Sequence, residues 1–261
     1  MRKFTAPIPV LLLLVILALA GCGGETGSSI LDKSMQTMEQ VKSLKMNVDV
    51  ISEESGQKQE DSYEAVMVRS DENPDAYNMM LVTDATETED NIYFVDGYQY
   101  IVIAGDWYKS PVDQEAAMGL GQFEQLKEVS DEMKVTSESG DGWTLSFDLS
   151  DEFLKDAMTK GTEGLDTMGP EFDEMVKSFV ENTKIGGELQ IAKSTYYLEV
   201  MKTLMDADIE GLGSFSIDAT VKFSDFDKEF KVKLPADAKN AQDLPDDMEM
   251  PELPFSDPLS F

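Results

Sequence analysis

The chain has 261 residues, with 52 Asp and Glu against 21 Lys and Arg, a formal net charge of −31, no histidine and one cysteine. An apolar share of 41% can bury a core, and the length allows one large domain or two small ones. So acidic a surface repels phosphate backbones and anionic lipid headgroups, which excludes nucleic acid as an expected partner, while the missing histidine and lone cysteine exclude His-dependent triads, His-bearing zinc sites, thiolate clusters and internal disulfides.

Arg2 and Lys3 precede an apolar run over residues 10–20. The run is about half the ~20 residues of a membrane-spanning helix and suits the centre of an export signal. It ends Leu19-Ala20-Gly21-Cys22, which resembles the lipobox of bacterial lipoproteins. That resemblance implies a signal peptide over 1–21, a diacylglyceryl group on the Cys22 thiol, and a protein held on the extracytoplasmic face of the cell membrane. In a cell with an outer membrane that is the periplasmic side. Two acyl chains suffice for stable anchoring, since each buried methylene contributes ~0.8 kcal/mol. Residues 22–29 read as the lipidated cysteine and a Gly/Ser-rich tether of at most ~25 Å.

Ser28 or Ser29 is placed to cap a first helix, with Asp32 three residues after Ser29. Leu31, Met35, Met38 and Val41 form its apolar stripe. From Leu44 the period becomes two, with Leu44, Met46, Val48 and Val50 on one face of a half-buried strand. Further strands are expected near 62–70, 76–84, 91–95, 98–103 and 107–109. Their turns are Ser55-Gly56, Asn73-Pro74-Asp75, Asp96-Gly97 and Gly105-Asp106. Residues 113–128 read as a helix weakened by Gly119 and Gly121, and 143–149 as a strand. Ser150 opens a short helix, and Pro170 starts a stronger one bearing Phe172, Met175, Val176, Phe179 and Val180. Strands return at 188–193, 196–204 and 215–223, and 229–234 closes a domain expected over 30–235. The stretch 236–261, rich in proline and acid, reads as a disordered tail. One helix, a long meander, inserted helices and more meander indicate an α+β fold with helices on one side of an antiparallel sheet.

The run Val41-Lys42-Ser43-Leu44-Lys45-Met46-Asn47-Val48-Asp49-Val50 after a helix resembles the opening of the LppX/LprG-type lipoproteins. Ile92-Tyr93-Phe94-Val95-Asp96-Gly97 leading into Gly105-Asp106-Trp107-Tyr108-Lys109 is similar to relatives of that group. So is the stretch from Phe223-Ser224-Asp225-Phe226 to Lys233-Leu234-Pro235. The resemblance implies a LolA-like half-barrel, a curved sheet wrapped around helices with an apolar cavity that binds lipid or acyl chains. On that reading the cavity residues are Met46, Val48, Met79, Leu81, Phe172, Met175, Phe179, Leu198, Val200 and Ile217. The residues alone leave two readings open. Sixteen methionines suit an adaptable apolar surface, and equally a filled core with methionine as gap filler.

No arrangement for catalysis stands out. Asp206-x-Asp208-x-Glu210-Gly211 imitates the start of a calcium loop, but its twelfth position is Ile217 and the segment reads as a solvated turn. No glycine-rich loop carries the lysine of a phosphate cradle. The expectation is a non-enzymatic exported lipoprotein without cofactor or metal. Its partners are the membrane and a hydrophobic small molecule or lipid; the alternative is an envelope interaction or structural protein with a filled core and a protein partner.

Overall fold

A computed structural model describes residues 25–70, 76–82, 92–112, 126, 130–155, 170–209 and 213–245. Helix α1 spans Gly27–Met38. Its cap is Thr26, whose hydroxyl accepts from the amide of Ser29, so Ser28 and Ser29 lie inside the first turn rather than before it. The helix therefore begins within the stretch expected as tether, and Gly27 is buried. A methyl group on Gly27 would meet the carbonyl oxygen of Met133 at 2.4 Å, and only glycine allows that approach. The expected stripe is buried throughout, joined by Ile30 and Ser34.

The chain then forms β1 (Ser43–Glu54), β2 (Gln57–Arg69), β3 (Tyr77–Val82), β4 (Ile92–Val95), β5 (Tyr98–Ile103) and β6 (Asp106–Pro111). A short 3-10 turn, Ser130–Glu132, leads to β7 (Lys134–Glu138) and β8 (Gly142–Asp148). Residues 151–155 are helical, with Ser150 Oγ accepting from the Phe153 amide at 3.3 Å. Helix α2 (Pro170–Asn182) runs without a linker into β9 (Thr183–Ala192), followed by β10 (Leu198–Ile209), β11 (Gly213–Ser224) and a short β12 (Gln242–Asp243). The helix expected over 113–128 and the turn at Asn73-Pro74-Asp75 lie outside the described residues, Leu126 excepted.

The twelve strands among the described residues make one sheet in the order β12-β6-β5-β4-β3-β2-β1-β11-β10-β9-β8-β7. Two meanders grow outward from a central seam where β1 pairs antiparallel with β11, Met46 opposite Phe223 and Val48 opposite Val221. The sheet stays open, with β7 and β12 at its edges. Buried side chains of β1 to β4 and β8 to β11 share one cluster with α1. A flat sheet would separate β4 from β8 by about 34 Å at ~4.8 Å per strand, nearly twice the ~18 Å length of a 12-residue helix. The sheet therefore curves around the helix.

The C-terminal part departs from expectation. Residues 229–234 keep their alternation, with Phe230, Val232 and Leu234 half-buried, yet form no strand. Both neighbours of β11 are already β1 and β10, so this segment finds no free edge there. It leads instead to the opposite edge. There Ala238 is buried, β12 pairs parallel with β6, and the Leu244 amide donates to the Lys109 carbonyl at 2.9 Å. The folded chain thus continues past 235 into the expected tail. Asp206 and Asp208, read as a solvated turn, are exposed positions within β10.

Candidate functional site

Directly opposed residues of antiparallel strands share a face. Met46 faces Ala65 and Phe223, Met67 faces Met79, and Met79 faces Phe94, which defines the inner side of the curve. Two helices cover different ends of this side. α1 enters β1 at Ser43, while α2 passes directly into Thr183, which pairs with Ala207 near the other end of β10. Each helix is thereby held at the strand end it leads into. Beneath α1 lies the larger cluster; beneath α2, Val180 packs with Leu154, Ile185 and Met205.

Of the residues expected to line a cavity, Met46, Met79, Leu81 and Leu198 come together under α1, the last three fully buried. Val48 is buried farther along β1, opposite Tyr63 and Val221. Phe179 and Ile217 pack against the α2 cluster. Among the described residues Met46 and Phe179 therefore pack with separate clusters. The side chains of Phe172 and Met175, and Cys22 itself, lie outside the described residues. Val200 is a correction. A register shift between Leu198 and Val200 changes which residues face inward, so Leu198 and Met201 are both buried and Val200 is only half-buried on the other side.

At the margin of the α1 cluster, which Tyr63 and Val221 pack against, the inner face changes character. Val50, Tyr63, Ala219 and Val221 form a strip that is only half-buried, across β2, β1 and β11. Burial holds the Tyr63 phenol above the usual tyrosine range, with the charge of Asp61 adding to it. Toward the strand tips the same face becomes polar, with Gln59 Nε2 donating to Asp61 Oδ2 at 2.8 Å. The strip thus runs from an apolar core to polar strand tips. Its alternation in 215–223 was plain in the sequence; its position at the margin of the α1 cluster was not.

Among the described residues three buried polar atoms have no hydrogen-bond partner: Ser34 Oγ, Gln99 Nε2 and Thr183 Oγ1. Gln99 shares the inner face with Phe94 and Ser110, which flank it in register. Such unpaired groups fix the orientation of a bound molecule when they line a pocket. Sequence alternation with Ile101 and Ile103 marks Gln99 as inward-facing, a signal the expected site residues did not include. Among the described residues no group of three acidic or thiol ligands is placed to hold a metal ion, and no helix is long and apolar enough to cross a membrane.

Comparison with known proteins gives a family and a set of structural likenesses. The model of a family of unknown function, DUF6612, matches residues 26–243. No curated protein matches the sequence. Among solved structures, LprF from Mycobacterium bovis is 12% identical, covers 82% of this chain and 100% of its own, and has a TM-score of 0.45. Lipoprotein LppX from Mycobacterium tuberculosis is 12% identical over 79% of this chain and 97% of its own, with a TM-score of 0.43. A LolA superfamily protein from Nitrosomonas europaea is 12% identical over 81% and 96%, at 0.29. The sheet described above is curved and unclosed, with β7 and β12 at its edges, the half-barrel architecture expected from the sequence.

Proposed function

The chain belongs to DUF6612, a family of unknown function, and from its fold and sequence we propose an exported, lipid-anchored protein that holds an apolar ligand against the inner face of its sheet. The observation that carries this reading is the half-buried strip of Val50, Tyr63, Ala219 and Val221 on the inner face, which borders the α1 cluster through Tyr63 and Val221. A single sheet closed over a filled core would bury that strip as fully as Met79 and Leu81. A lipid or acylated molecule supplies the missing apolar contacts, its tail along the strip and its polar end at the strand tips near Asp61. Met46, Val48, Met79, Leu81 and Leu198 then form the floor beside it. Signal cleavage before Cys22 and lipidation of its thiol place the domain on the extracytoplasmic face of the membrane.

The test is native mass spectrometry of the protein purified from cells, freed of its own anchor. A co-purifying lipid supports the carrier reading. A clean apo mass, with no displacement of an environment-sensitive fluorescent fatty acid, favours the envelope interaction protein instead. The full burial of Met79, Leu81 and Leu198 under α1 is the observation on that side. The anchor is tested separately: Cys22→Ser abolishes acyl labelling, and undiminished palmitate incorporation would refute it.

A further inference from the structure

At one end of the sheet, rings and cations gather around the first described residue. Glu25 pairs with Lys33, and the Tyr196 hydroxyl donates to both Glu25 oxygens at 3.1 Å. Hydrogen bonding to Lys33 holds the Glu25 carboxyl below the usual carboxylate range. The Tyr196 ring stacks on Trp143 with centroids 5.3 Å apart, and Lys193 Nζ lies 5.4 Å from the Trp143 ring centre. Tyr196 follows the turn from β9 to β10, and Trp143 opens β8. The segment leaving the domain is therefore fixed to that turn before it reaches Cys22.

Cys22 is three residues before Glu25, a reach of at most ~11 Å. A lipid on Cys22 cannot sit far from the Tyr196 turn. At this end Glu25 pairs with Lys33, Glu138 with Lys193 and Asp225 with Lys228, while Asp96, Asp141 and Glu199 stand exposed. Glu53, Glu54, Asp206 and Asp208 stand exposed toward the opposite ends of strands that run 12 residues, about 40 Å. Half-buried tryptophan and tyrosine beside lysine are the side chains that settle at headgroup level.

We propose that the domain docks on the membrane in one orientation, the Trp143–Tyr196 pair and Lys193 against the lipid headgroups and the acidic strand tips pointing away. This rests on the anchoring of Cys22 proposed above. It follows that the polar end of the strip beside Asp61 faces away from the membrane that holds the protein, toward the aqueous compartment.

The protein has two tryptophans, and Trp107 lies on β6 near its turn with β5, at the other end of the strands. W107F leaves Trp143 as the only reporter, and W143F leaves Trp107. Each is purified from membranes and reconstituted in phosphatidylcholine–phosphatidylglycerol vesicles with nitroxide-labelled headgroups, attachment being read by flotation. In a second arm the chain from Cys22 onward, which retains every described element, is coupled through its only thiol to maleimide-bearing vesicles of the same composition. The expected result in both arms is several-fold stronger quenching of Trp143 than of Trp107, and a fall in Trp143 quenching when Y196F is added. Equal quenching of the two, or a shielded Trp143 because a protein partner covers it in the purified complex, overturns the orientation. Loss of flotation with the expected quenching in the coupled arm overturns lipidation alone and leaves the orientation standing.

Discussion

Phe147 lies across the face of Gly187. A methyl group built on Gly187 would meet ring carbons Cε1 and Cζ of Phe147 at 2.8 Å and the Lys202 carbonyl oxygen at 2.1 Å. The two residues are paired in register across β8 and β9, so the ring covers backbone that a side chain would otherwise shield. Because one obstacle is backbone, rotation of Phe147 cannot relieve the contact. Gly187→Ala is expected to destabilise the domain by ~1–3 kcal/mol, read as a lowered melting temperature. A companion Phe147→Leu, which clears the ring, should recover only part of the loss.

Just after α1 ends, two side chains take up the carbonyls of Glu39 and Val41. The Tyr77 hydroxyl donates to the Val41 carbonyl at 2.9 Å and accepts from Arg69 Nη2 at 2.6 Å, while Arg69 also donates to the Glu39 carbonyl. Burial holds the Tyr77 phenol above the usual tyrosine range, partly offset by the Arg69 charge. A raised pKa means the bond contributes fully below about pH 10, the unfolded value, and weakens as pH rises through the folded one. Tyr77→Phe leaves the Val41 carbonyl and Arg69 without this partner and should cost about 1–3 kcal/mol near neutral pH. The difference between the two proteins, followed by melting from pH 8 to 11, should shrink with increasing pH. A constant difference would place the stabilisation in packing of the ring rather than its proton.

Most strands were legible because a half-exposed sheet writes its period into the chain. Met46, Val48 and Val50, or Phe215 to Phe223, alternate where one face meets the core. What stayed hidden depends on partners distant in sequence. The shift at Val200 is visible only against Ile191 and Gln190 of β9. The unpaired run after Asp227 alternates like a strand, and only the occupied flanks of β11 explain why it is none. Thr26 rather than Ser28 caps α1 because Gly27 must approach Met133, a contact more than a hundred residues away. The half-buried strip was hidden for the same reason. Its residues are ordinary strand residues, and what distinguishes them is that they lie at the margin of the α1 cluster and are only half-buried.

The C-terminal edge gives a second stability test. Ala238 is buried, Gln242 and Asp243 pair with Tyr108 and Lys109, and Leu244 donates to Lys109. Each such hydrogen bond contributes ~0.5–1.5 kcal/mol. Truncation after Pro235 should lower the melting temperature by several degrees, because it uncovers the edge of β6. Truncation after Pro245 keeps all of these contacts and should leave melting nearly unchanged. Equal stability of the two truncations would mean that β12 adds nothing measurable to the sheet.

The half-buried strip decides the functional reading, and enlarging one of its side chains separates the two accounts. Ala219 is half-buried on the inner face, opposite Val50 of β1 and Thr203 of β10. If the core is already filled, a phenyl group there displaces packed neighbours and costs ~1–3 kcal/mol. If the strip holds a ligand, the ring occupies space that the ligand would use. Ala219→Phe should then melt at or above the parent temperature while losing most of its binding of a fluorescent fatty acid. Ser216→Phe, on the outer face of the same strand, controls for the change in surface hydrophobicity and should leave probe binding intact. Destabilisation by Ala219→Phe, together with a parent protein that binds no probe, would end the carrier account. The fully buried Met79, Leu81 and Leu198 would then belong to a core with no room for a guest.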